Sequence, residues 1–322
     1  NLSTAGSNYS VTFKDNTTIV NSPTLNHTGN LVLGDTPTDV FNFQGGLTYT
    51  AGNSTLQGTI QTSNTDLALG NVSLTGNTTL STGIGNINLN GIANLSNFNL
   101  TATGLDITLN SAITAGTGTI NFAADRSIIL NPGSSITSTS GNIILNSNHS
   151  ATNNGAIYLN NATLSTTTGE IVLSGGNGAT LNDLKTTGFA WAADGIYKDG
   201  ISLLNSTVTS TAGAITLRGQ GGAFSGNIYD ANYGIKLDGS TIRSDAGAVS
   251  IVGIGGSNNI NNNDGIRLEN SVLLETTTGS LSVTGQGGTS TNLGMHGIRV
   301  GSGTFTVNSL GSGTINLTGT GG

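Results

Sequence analysis

The chain has 322 residues, of which 9 are Lys or Arg and 16 are Asp or Glu, with no cysteine, three prolines and fifty glycines. Only 8% of residues are charged, against roughly 25% in an ordinary soluble domain, and a net charge of -7 with no basic run argues against a nucleic-acid partner. No run of 18 apolar residues predicts a membrane-spanning helix, and the lack of cysteine excludes a disulfide framework.

Low charge also argues against classical disorder, which combines low hydrophobicity with high net charge. The apolar residues are mostly Ile, Leu and Val, and they alternate with Asn, Ser, Thr and Gly. With Asn at position 1 and no signal peptide ahead of it, the sequence reads as a processed chain or a fragment.

In chain order, residues 1–80 carry a loose pattern, with GNLVL at 29–33 and GNVSL at 70–74. Residues 81–176 tighten into a Gly-x-Ile-x-Leu phrase: GNINL (85–89), GLDITL (104–109), GTINF (118–122), GNIIL (141–145) and GEIVL (169–173). Residues 177–322 repeat a longer sentence. Gly200, Gly234, Gly265 and Gly297 are each followed by Ile, at 201, 235, 266 and 298, and two positions later by Leu203, Leu237, Leu268 and Val300. Eight positions after the mark stand Val208, Ile242, Leu273 and Phe305. A second mark, Gly213, Gly247, Gly279 and Gly313, precedes Ile215, Val249, Leu281 and Ile315.

The period is two, so each copy offers three short strands. One copy cannot bury its own apolar face, but stacked copies can, by placing equivalent residues in columns. The expected fold is all-β: a parallel β-helix formed by one continuous domain over 1–322. Coils of roughly 20–25 residues predict about 13 layers and a rod on the order of 60 Å. The last coil closes on TGTGG without a visible cap, so the solenoid is expected to continue in a parent chain or in a neighbouring subunit.

These Gly-x-Ile-x-Leu coils, rich in Asn, Thr and Ser and free of cysteine, resemble the shafts of filamentous-haemagglutinin-like exoproteins of Gram-negative bacteria and cyanobacteria. The resemblance covers most of residues 29–322. It implies a right-handed parallel β-helix that is secreted, surface-associated and often adhesive, exported by a two-partner outer-membrane system. The family's amino-terminal secretion domain finds no match in residues 1–60.

The repeats differ in their excursions, roughly 177–198, 223–233, 257–264 and 289–296, which all leave one corner. The first holds Phe189, Trp191 and Tyr197, and the second Phe224, Tyr229 and Tyr233. Aromatic faces beside Asp230 suit a sugar ring or another surface ligand; folded back, the same side chains form a satellite core. Lys236, Arg267 and Arg299 form one outward column two residues before Asp238, Glu269 and Gly301, a charge ladder or a weak site for acidic sugars.

The Asn-rich turn at 257–265 collects oxygen ligands of the kind calcium accepts, but with a single carboxylate it reads as a plain turn before a calcium site. Asp194 and Asp199, with Asp230 near, are the closest acids for a polysaccharide-cleaving site, and they fall short of the clustered carboxylates such chemistry uses. His27, His149 and His296 lack metal-ligand spacing, and no cofactor is expected. Sequons occur at Asn53, Asn71, Asn161 and Asn205 among others, and in so Asn- and Thr-rich a chain most are expected by chance.

The expected function is that of a non-enzymatic extracellular structural protein, a filament subunit or adhesin shaft segment that associates through its coil ends. A glycan-binding module on the aromatic loops of 177–233 is the alternative. A polysaccharide-active enzyme comes third.

Overall fold

A computed structural model describes residues 2–150, 155–177, 180–192, 197–223, 232–257, 262–289 and 294–322. The chain winds as a parallel β-helix with three faces. In one full coil the first face is the strand Ile201–Leu204, the second Thr207–Ser210 and the third Ile215–Gln220. On the third face, successive parallel pairings carry the chain from Thr17–Ile19 to Ile315–Thr320 through twelve layers.

The described residues form twelve layers where the repeat length predicted about 13, because the later coils are longer. Asp66 bonds to Asn86, 20 positions on, in the layer above, whereas Ala162 and Ser206, also in adjacent layers, are 44 positions apart.

The core is a set of aliphatic columns. Ile87, Ile107, Ile128, Ile157, Ile201, Ile235, Ile266 and Ile298 stack in register on the first face. All of them but Ile298 are fully buried. Strand alternation turns every second residue inward, and parallel pairing with no register slip puts each on its own kind.

The Gly-x-Ile-x-Leu phrase serves two faces. In GNINL and GLDITL it forms first-face strands, Ile87–Leu89 and Ile107–Leu109; in GTINF, GNIIL and GEIVL it forms third-face strands. One column assignment needs correction. Leu273 does not continue the Val208–Ile242 column: Ile242 pairs with Leu274, and Phe305 with Val272. The extra residue is absorbed at Asn270 and Ser271, whose φ values of 53° and 70° make a left-handed turn. A one-residue slip turns a side chain to the other face, so Leu273 lies outward.

Where the phrase is loosest the strands are longest. Leu47–Thr62 and Leu67–Ser81 each run round all three faces.

Asparagine has a structural use at the corners, where strand pairing lapses. The Oδ1 atoms of Asn64, Asn71, Asn77, Asn97, Asn99 and Asn142 accept backbone N–H bonds from the layer above, at 2.8 to 3.2 Å. Each backbone N–H needs an acceptor where the ladder supplies none, and a short amide reaches one layer without carrying charge.

Candidate functional site at the loop-bearing corner

The excursions predicted from the sequence all lie between a third-face strand and the next first-face strand, and one more shares that corner, between Ile143–Ser147 and Ile157–Asn160. The Gly-Gly phrase builds their base. Gly256 N–H donates to Asn232 O at 2.9 Å and Gly288 N–H to Asn263 O at 2.8 Å, so each departing chain is tied to the returning end of the excursion below. A Cβ on Gly256 or Gly288 would meet the carbonyl of Gly222 or Gly256 beneath it, at 2.0 and 1.8 Å. Asn232 and Asn263 are fully buried in this neck.

The excursion after Gly175 folds back on the third face. Thr180 caps the short helix Leu181–Thr186, and Leu184 packs on Ile144 and Val172. Lys185 Nζ reaches Glu170 at 2.9 Å. The Arg218 guanidinium lies 4.2 Å from the Phe189 ring centroid and donates to Gly188 O. Trp191 sits in a two-residue strand paired with Gly219–Gln220 and bridged to Gly155. Phe189 and Trp191 therefore pin the excursion to the helix.

Tyr197 goes elsewhere, to the first face, where its ring meets that of Tyr158 at 5.0 Å between centroids. Sequence reasoning missed Tyr158, which stands between Ile129 and Ser202 in the outward column that Lys236 continues. Phe224, Tyr229, Asp230 and Asp194 lie outside the described residues.

No family model matches the chain. No curated protein and no solved structure matches it either. The chemistry of this corner is therefore read from its own residues.

Lys236, Arg267 and Arg299 are in register on the first face. Like charges one layer apart repel, and two kinds of acid offset this. Lys236 lies 3.3 Å from Asp238 and 3.7 Å from Glu269, while Arg267 lies 2.7 Å from Glu269 and 3.7 Å from Asp264. Arg299 donates to Asn262 Oδ1. Asp264, the single carboxylate of the Asn-rich turn, is fully buried; its Oδ1 accepts from the His296 backbone at 3.0 Å and lies 2.9 Å from His296 Nδ1. The cations are held in a cross-layer ion network, which stiffens the corner.

The three histidines fall in three places. His27 stacks between Tyr9 and Tyr49, His149 contacts Asn146, and His296 contacts Asp264. Among the described residues no group of three or more His, Cys, Asp or Glu could hold a metal ion.

Asp199 has the most displaced titration at the corner. Burial pushes its carboxyl up to about 7, against the Tyr233 N–H bond at 3.0 Å and the nearby Lys236 and Lys198. Burial also pushes the Tyr233 phenol up to about 12. A carboxyl raised in the folded state binds more protons folded than unfolded, so its stabilising contribution is full below the ordinary value of 3.8 and is lost as pH rises through about 7. Asp199→Asn keeps the acceptor for Tyr233 and removes the charge. Its melting temperature should exceed that of the parent at about pH 8 and match it near pH 4; an equal difference at both pH values would contradict the assignment.

Proposed function

We propose that this chain is a rod-forming segment of an extracellular surface protein, a shaft or filament module of the filamentous-haemagglutinin-like kind, without catalytic activity. The observation that carries this reading is the parallel stacking of twelve layers, among the described residues, around aliphatic columns that are buried in all but the first and last layers. Such a body transmits length and stiffness, because each layer rests only on its neighbours.

The uncharged Asn, Ser and Thr surface and the absence of cysteine suit a chain working outside the cell. The perturbed carboxyl at the corner, Asp199, is tied to a backbone N–H and flanked by lysines, an arrangement suited to holding a loop base rather than to acid–base work. The alternative, a glycan-binding module, draws its support from the Tyr158–Tyr197 pair beside the charge ladder.

An antibody raised against the purified chain should label intact, unpermeabilised producing cells; labelling that appears only after lysis would contradict the reading. Polysaccharides incubated with the chain should keep their length distribution, and progressive shortening would point to the enzyme instead.

A further inference from the structure

We propose that Asp199 and Tyr233 form a proton-controlled clasp at the loop-bearing corner. It holds the returning end of the excursion at 223–233 while the Asp199 carboxyl is neutral and lets go when the carboxyl ionises. The device goes beyond the rod reading and does not depend on it.

The clasp is a pair of bonds across one layer. The Tyr233 N–H donates to Asp199 Oδ1 at 3.0 Å, and the Tyr233 carbonyl accepts from the Gly200 N–H at 3.1 Å. Two layers higher the same pair recurs. The His296 N–H donates to Asp264 Oδ1 at 3.0 Å, and the His296 carbonyl accepts from the Gly265 N–H at 2.9 Å. In both, an Asp just before a register glycine holds the residue on which the next excursion returns.

Charge separates the two. Asp264 is fully buried, but Arg267 lies 3.7 Å from its carboxylate and His296 Nδ1 2.9 Å. Asp199 forms no ion pair among the described residues. The titratable groups that face it are Lys198 beside it, and Tyr233, Lys236 and Glu269 from the two layers above. From the layer below, the strand Ile157–Asn160 brings Tyr158.

Lys236 is engaged by Asp238 at 3.3 Å and by Glu269 at 3.7 Å. An ionised Asp199 therefore has no cation of its own, and burial raises its carboxyl to about 7. The residue as a whole is half-buried, so a turn of the side chain brings the anion to water, and that turn breaks the bond to Tyr233. Release is confined to the layer below. Asn232 stays tied upward, its N–H to Asn263 Oδ1 at 3.3 Å and its carbonyl to the Gly256 N–H.

Hydrogen exchange at the Tyr233 amide, read by NMR and corrected for intrinsic exchange, provides the test. Protection should fall about tenfold per pH unit from about pH 5 to about pH 7 and level off above, because closure is linked to one bound proton. Asp199→Asn should keep it constant over that range. The Ile107 amide, bonded to Ser127 three layers below Ile201, should stay constant in both proteins. Lys236 favours the ionised carboxyl and Glu269 opposes it. Lys236→Gln should accordingly move the levelling-off to higher pH and Glu269→Gln to lower pH. Shifts of one sign in both variants, or parent protection that ignores pH, would overturn the clasp and leave the rod reading intact.

Discussion

Gly213→Ala should destabilise the chain by more than about 3 kcal/mol, with a urea midpoint far below that of the parent. Gly213 is one step of a glycine spine at the corner between the second and third faces, formed by Gly118, Gly141, Gly169, Gly213, Gly247, Gly279 and Gly313. A Cβ at 213 would stand 1.8 Å from the carbonyl oxygen of Gly169 beneath it, and each higher step repeats the conflict with the glycine below. The obstacle is backbone held in a layer, so it cannot swing aside as the end of a side chain would. None of these glycines has a left-handed φ; closeness of approach, rather than backbone freedom, dictates the residue. Gly6→Ala is the control, because the nearest atom there is 3.8 Å away. Equal midpoints for Gly213→Ala and Gly6→Ala would mean that the layers are not packed this closely.

Phe122→Ala should cost about 3–5 kcal/mol, the range for truncating a buried aromatic. Phe122 is fully buried on the third face, stacked between Ala102 and Leu145. It fills the space that the small Ala102 leaves, and the β-helix has no loose layer to collapse into the void. Thr114→Ala, on an exposed outward position of the second face, should stay within about 0.5 kcal/mol. Thermal unfolding of the two variants side by side separates a packed interior from a fluid one.

The aliphatic columns were legible because both ingredients are local: period-two alternation and a glycine that restarts each strand in phase. What the phrase does not encode is which face it will occupy, since Ile87 and Ile120 stand in the same local pattern on different faces. The Leu273 column slipped because a left-handed pair, Asn270 and Ser271, stores one residue that spacing alone counts as strand.

The satellite core was visible in principle. GNIIL and GEIVL put Ile144 and Val172 at outward positions that are polar elsewhere, a sign that something apolar must cover them, and Leu184 does. At the corner, the sequence places Lys236, Arg267 and Arg299 in one column but gives no hint that Asp264 is buried beside them. Its partner His296 stands in the next layer, 32 positions on, a contact between layers rather than within one.

The most direct test of the stacked-layer architecture is a distance along the rod. The chain has no cysteine, so spin labels attach only where cysteines are introduced. Thr55 and Thr209 lie in one outward column of the second face, six layers apart through Ser73, Asn94, Thr114, Thr137 and Ser165. At about 4.8 Å per layer their backbones should stand about 29 Å apart. Pulsed electron paramagnetic resonance on the Thr55→Cys, Thr209→Cys double variant should return one narrow distribution near that value, allowing for the label arms. A broad distribution, or one centred well away from it, would contradict a parallel β-helix with one coil per layer.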